Sequence, residues 1–362
     1  MSKRDMEQEI YSLLSKVGWN ISDIHKSYSG KGNGLLNKPI EKYKVTHDNQ
    51  VVHIAVKISE DEPKMLFRQL YQQYGHATLH QLELFDAYCA FLSMEKMSER
   101  EFAFYQNYNE RLSPFLPKIY AMSRVGQTHM LIMEDLSACD CMDQVNHPQK
   151  WKQEDVDLAI QTLAFLHHID ICPQLVKVSC WEGEQWDKIA EFLEMFYENM
   201  EAYVGNIYKT VALATKDYIN HLKQYEKSLS QYRQIMIHHD FNIRNICIDR
   251  ASSQLKIYDW EFIDFKNPII DMVDFLLSLS SEYLSEERLE RWIMIYINKS
   301  QQYGEVDLDF LGLKEQLYYN AIKFAATRMN MYWLFYAQKK DCYIERMYNN
   351  LLLLITYCCK NK

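Results

Sequence analysis

The chain of 362 residues is 48% hydrophobic and 14% aromatic, has only 10 glycines and 7 prolines, and carries a net charge of −9. That length exceeds the size at which one core usually splits, so two lobes are expected, and the composition favours an ordered, helix-rich protein over a disordered one. The negative charge argues against nucleic acid or an anionic membrane surface as a partner, and it leaves room for a cationic small substrate.

In chain order, Ile10, Leu13, Leu14 and Val17 share one helical face and predict a short amphipathic opening helix. The stretch 26–59, KSYSGKGNGLLNKPIEKYKVTHDNQVVHIAVKIS, places Gly30, Gly32 and Gly34 close together ahead of two β-rich runs, IEKYKVT and VVHIAVKIS, which flank the turn-forming HDNQ. It predicts a glycine-rich turn leading into a β-hairpin. Residues 62–112 read as mostly helical, with LHQLELFDAYCAFLSMEKM and SEREFAFYQNYNERL as candidate helices separated near Ser98, an N-cap candidate with Glu101 at N3. PKIYAMSRVGQTHMLIMEDLS, 117–137, predicts a second strand pair ending in an acidic segment. From about residue 150 the helical period dominates, in EDVDLAIQTLAFLHHI, KIAEFLEMFYENMEAYV and TKDYINHLKQYEKSLSQY. A strand–loop–strand unit interrupts it at 235–262, and helices resume to the end. A β-rich part and a helical part thus meet near Ser137.

The cysteines are odd in number, scattered and without a CxxC pair, which predicts neither a disulfide framework nor a zinc site and fits a reducing cytoplasm. The N-terminus alternates charge with apolar residues, unlike a signal peptide. No apolar run approaches the ~18 residues that span a bilayer. LLLLITYCC, 351–359, reads as a buried terminal helix.

The chemistry concentrates in IMIHHDFNIRNICIDRASSQLKIYDWEF, 235–262. If NICI and LKIYD pair as a hairpin, Asn245 and Asp259 come together at its open end, with Asp240 on the loop just before. These are oxygen ligands suited to Mg²⁺, a hard cation, while Asp240 is placed to orient a hydroxyl for attack.

His238-His239-Asp240-Phe241-Asn242-Ile243-Arg244-Asn245 fits H-x-D-x-x-x-x-N, and Asp259-Trp260-Glu261-Phe262 followed by Asn267-Pro268-Ile269-Ile270-Asp271 fits D-[WF]-E with a downstream P-x-x-D. Together they resemble the aminoglycoside phosphotransferase and choline kinase superfamily, small-molecule relatives of protein kinases. The resemblance implies an α+β, bilobal protein-kinase-like fold. A β-rich N-lobe would span 1–136 with a helical insertion at about 62–97, and a mostly helical C-lobe would span 137–362. It implies Asp240 as catalytic base, Asn245 and Asp259 as holders of Mg²⁺, and Glu261 as a further metal contact. Lys57 in IAVKI takes the place of the phosphate-pairing lysine. Glu101 is its candidate partner, with Glu83 as the alternative. Met133 and Glu134 in LIMEDLS fall at the hinge that would meet the nucleotide, ATP or alternatively GTP. Gly30, Gly32 and Gly34 depart from G-x-G-x-x-G, so their contact with phosphates rests on composition and position.

His238 is read as fixing the loop backbone, and His167 and His168 as packing and helix-end residues. Trp181, Trp186, Tyr332, Trp333 and Tyr336 are either core or pocket lining. The expected activity is phosphoryl transfer to a hydroxyl of a small, amine-bearing molecule such as an aminoglycoside-like compound, an amino sugar or choline. No A-P-E segment follows Asp259, which disfavours a protein kinase. A nucleotide-binding scaffold without activity is the alternative outside enzymes.

Overall fold

A computed structural model describes residues 3–29, 40–59, 68–69, 71–72, 78–126, 128–141, 151–173, 185–204, 208–304, 308–329, 332 and 342–360. Gly30, Gly32, Gly34, Trp181, Trp333 and Tyr336 lie outside them.

Helix α1, Lys3–Lys16, buries Met6, Ile10, Leu13 and Leu14. It ends where Gly18 takes φ +91°, with Gly18 N–H donating to Ser15 O and Trp19 N–H to Leu14 O. These are the paired bonds of a left-handed glycine cap. Val17, expected on the buried face, falls past the last turn and is 54% exposed.

The sheet that follows is antiparallel, in the order β1 (Ile21–Ser29), β2 (Glu41–His47), β3 (Gln50–Ser59), β5 (Thr128–Glu134), β4 (Ile119–Val125). The expected hairpin turns at Asp48 and Asn49, whose φ values of 46° and 62° are left-handed, as a turn matched to strand twist requires. Strand β1 is an addition to the predicted elements. Its run ISDIHKSYS is largely exposed and carries little apolar patterning, so only pairing with β2 defines it. Alternation along β3 sends Ile54 and Val56 to the α1 side, and Ala55, with Lys57 two residues on, to the side of the main core.

Helices α2 (Leu79–Phe91) and α3 (Met97–Asn107) stand between the strand pairs. The break falls earlier than expected. Ser98 is buried inside the first turn of α3 and the N-cap is Lys96, which has no side-chain cap bond. The cause is tertiary: Ser93 takes φ 61°, donates its hydroxyl to Asp264, and accepts from Arg100 at its carbonyl.

The remainder is mostly helical. Helices α4 (Gln153–Leu166), α5 (Trp186–Val204), α6 (Lys209–Asn220), α7 (Leu222–Gln231), α8 (Ile269–Ser278), α9 (Glu286–Gln302), α10 (Phe310–Ala326) and α11 (Cys342–Cys359) surround two small antiparallel sheets. One pairs β7 (Ile235–Ile237) with β10 (Asp264–Lys266); the other has the order β6 (Asp140–Cys141), β8 (Ile246–Asp249), β9 (Gln254–Ile257). The run expected as one helix at 215–232 is broken at His221, where φ −120° and ψ 25° leave the helical region. The architecture is the expected α+β one, a β-rich N-terminal part followed by a mostly helical C-terminal part. A continuous core joins them through Ala55, Leu131 and Met133 of the sheet, Phe104 of α3, and Trp151, Trp260 and Trp292 beyond. Among the described residues no helix is long and apolar enough to cross a membrane.

Candidate active site

Strand β7 is buried as a pair with β10, and the chain leaves it at His238 into a loop whose polar groups are almost all engaged with one another. His239 takes φ 61°, a conformation costly for a side chain with a Cβ. What holds it is Asp271 in the first turn of α8, whose two oxygens accept from His238 N–H at 3.0 Å and His239 N–H at 2.7 Å. His238 Nδ1 accepts from Asp240 N–H at 3.2 Å, and Nε2 faces the Tyr258 carbonyl at 3.1 Å. This histidine therefore fixes loop backbone on both sides. His167 is buried between Tyr296, 2.8 Å from Nδ1, and Asp271, 3.5 Å from Nε2, and its burial depresses its pKa.

The Asp240 carboxylate is held at each oxygen. Asn242 Nδ2 donates to Oδ1 at 2.9 Å, and Asn245 Nδ2 donates to Oδ2 at 2.7 Å. Arg328, which follows α10, has Nη1 2.9 Å from Asp274 and 3.6 Å from Asp240 Oδ1, donates to the His239 carbonyl, and lies over the Phe262 ring. Burial raises the Asp240 pKa above the ordinary carboxylate value, and Arg328 and Arg244 counteract part of that rise.

The β8–β9 hairpin has Ile246 opposite Ile257, and Tyr258 N–H donates to Asn245 O at 3.0 Å. That register brings Asp259 beside Asn245, as the spacing predicted. Asp259 takes φ 66°, starting a tight turn that buries Trp260 flat against Phe104 of α3, with centroids 4.1 Å apart and rings 16° from parallel. Lys57 Nζ then meets three carboxylates: Glu101 at 2.7 Å, Glu261 at 3.7 Å, and Asp259 in a close ion pair. The carboxylate oxygens of Glu101, Asp259 and Glu261 lie within 4.8 Å of one another. Burial works against the Lys57 charge, yet the three carboxylates outweigh it and hold its pKa well above the usual value. Asp259 is likewise buried, and Lys57 pulls it below the usual carboxylate range; for Glu101 burial prevails and the pKa rises.

Of the two candidate partners for Lys57, Glu101 faces it from α3, whereas Glu83 is exposed. Met133 is buried on β5 opposite Ala55, and half-buried Glu134 accepts from Lys118 N–H at 3.1 Å. Asp240, Asn245, Asp259, Glu261, Lys57 and Glu101 thus form one connected group. The donors fit a hard divalent cation: three carboxylates face one ammonium, and Asn245 turns its amide nitrogen to Asp240, leaving its oxygen for another partner. Sequence reasoning missed Arg328, which meets the loop from a position 89 residues beyond His239 with no local pattern to announce it. It also missed Arg244 and Tyr343, whose guanidinium and ring lie 5.1 Å apart.

Residues 94–308 match the model of the phosphotransferase enzyme family. Comparison with curated proteins gives no match. Among solved structures, a Plasmodium vivax ethanolamine kinase is similar with a TM-score of 0.46 and 12% identity, over 93% of this chain and 82% of that one. An ADP-bound aminoglycoside phosphotransferase is similar with a TM-score of 0.41 and 14% identity, over 96% of this chain and 98% of that one.

Proposed function

The chain belongs to the phosphotransferase enzyme family and is a small-molecule kinase by that membership, and from this premise we propose that it transfers the γ-phosphate of ATP, or alternatively GTP, to a hydroxyl of a small acceptor. The observation that carries the reading is the Asp240 carboxylate, fixed by two amide donors next to the cluster of Lys57, Glu101, Asp259 and Glu261. Phosphoryl transfer asks mainly for positioning and for neutralisation of charge, and these residues supply both.

In this reading residues 1–136 form the nucleotide lobe and 137–362 the acceptor lobe. Met133 and Glu134 meet the nucleotide at its base, Gly30, Gly32 and Gly34 approach its phosphates, and Lys57 neutralises phosphate oxygens while Glu101 holds its ammonium in place. Asp240 accepts the proton of the attacking hydroxyl, and its raised pKa makes it a better base than an exposed carboxylate. Asn242 and Asn245 keep its two oxygens from rotating. Asp259, Asn245 and Glu261 would hold Mg²⁺, which would supply neutralisation of the charge on the phosphates.

Only Asn267 and Pro268 stand between the end of β10 and the start of helix α8, which leaves no segment there to serve as a peptide platform and supports a small acceptor over a protein. A location in the cytoplasm belongs to the same reading and is supported by the cysteine usage. The test is transfer of labelled γ-phosphate from MgATP across a panel of small alcohols, with thermal stabilisation by MgATP measured in parallel. Acceptor-dependent transfer is expected. Stabilisation by MgATP with no transfer to any alcohol would leave the non-catalytic scaffold.

A further inference from the structure

An amine-bearing acceptor was expected from the net charge of −9, but an acceptor meets the groups beside Asp240, and these have a different balance. The carboxylates there are committed. Asp271 is occupied by two backbone N–H groups, Asp274 by Arg328, and Glu101, Asp259 and Glu261 converge on Lys57.

The cations are differently placed. Arg244 sits in the loop between Asp240 and Asn245, half-buried, with its backbone N–H and Nε both directed to Asn242 Oδ1 at 3.0 and 3.3 Å. Its guanidinium lies over the Tyr343 ring at 5.1 Å and bonds to the Tyr332 hydroxyl. It makes no ion pair with a carboxylate among the described residues. A second guanidinium, that of Arg346, stands 5.1 Å from the same Tyr343 ring. A half-buried guanidinium that no described carboxylate meets in a direct ion pair carries a desolvation cost, which the Asp240 charge nearby lessens. An anion bound there lessens it further. Tyr332 and Tyr343 lie in the C-terminal helical part, whereas Lys57 stands on the N-terminal sheet, so on the reading above it is the acceptor rather than the nucleotide that meets them.

We propose that Arg244 selects an acceptor carrying a negatively charged group, carboxylate or phosphate monoester, near the hydroxyl that Asp240 activates. The inference rests on the phosphotransferase reading above and replaces the amine-bearing acceptor with an anionic one. A guanidinium presents its donors in a planar fork that matches both anions, and it keeps its charge at any pH of interest.

The experiment compares acceptors in matched sets at constant ionic strength: glucose, gluconate, glucose 6-phosphate and glucosamine, then glycerol, glycerate, glycerol 3-phosphate and 2-amino-1,3-propanediol. With MgATP, wild type should favour an anionic member in whichever set is phosphorylated. Arg244→Gln should raise KM for that member by roughly 10–100-fold while KM for MgATP stays the same. Arg244→Lys should keep part of the selectivity, an outcome that a purely structural arginine would not produce. A wild-type preference for the neutral or amine-bearing member overturns the inference and leaves the kinase reading intact, as does an unchanged ratio of anionic to neutral acceptor in Arg244→Gln. Silence in every set while MgATP still binds overturns the kinase reading itself.

Discussion

Asp240 has its two oxygens engaged by Asn242 and Asn245 and sits in a buried loop, so its role can be separated from that of the nucleotide contacts. Asp240→Asn should lower kcat by roughly 10²–10⁴-fold, the usual worth of a positioned base, while thermal stabilisation by MgATP persists. Near-normal turnover would sink the assignment. The pH profile follows from the same environment. Because burial raises the folded-state pKa above the ordinary 3.8, and the base must be ionised, activity should fall as pH drops through a midpoint higher than 3.8. A kcat profile flat down to ordinary carboxylate pH values would contradict it.

At the scale of elements, the loop depends on where α8 begins. Asp271 stands in the first turn of that helix and accepts the two buried N–H groups that keep His239 in its left-handed conformation. Asp271→Ala leaves both donors without their acceptor, at about 1–3 kcal/mol for each, and should shift the urea midpoint accordingly. Asp271→Asn, which retains one acceptor oxygen, should cost less. Equal effects of the two would mean the helix start is not what pins the loop. The Trp260–Phe104 stack does similar work between the hairpin and α3, the helix that brings Glu101 to Lys57. Trp260→Ala should cost about 3–5 kcal/mol by denaturation. Trp260→Phe should recover part of that stability, because a smaller ring still fills some of the space.

Across the whole molecule, Lys57 on the sheet meets Asp259 from the helical part, so the two halves share one charge cluster. A ligand that binds there should stabilise the fold as a unit. MgATP at 100 times its Kd should add about 2.7 kcal/mol, and chelation of Mg²⁺ or the change Asp259→Ala should remove most of that gain. Retention of the full shift in Asp259→Ala would place the metal elsewhere.

What the sequence alone determined is what depends on near neighbours. The turn at Asp48-Asn49, the hairpin that joins Asn245 to Asp259, and the polar run after β7 were legible because their partners lie within a few residues to about a dozen. Strand β1 was not, since an exposed edge with little apolar alternation is defined by hydrogen bonds to β2 and by nothing in its own side chains. The start of α3 was misplaced for a related reason: Ser98 looked like a cap, but the break was decided by Ser93 bonding to Asp264, 171 residues away. Charge shows the same division. A net charge of −9 is a sum over the chain, whereas the field at any one point is set by the few groups within several ångströms, and only folding brings Arg328 to Asp240 and Arg244 while Asp259 and Glu261 converge on Lys57.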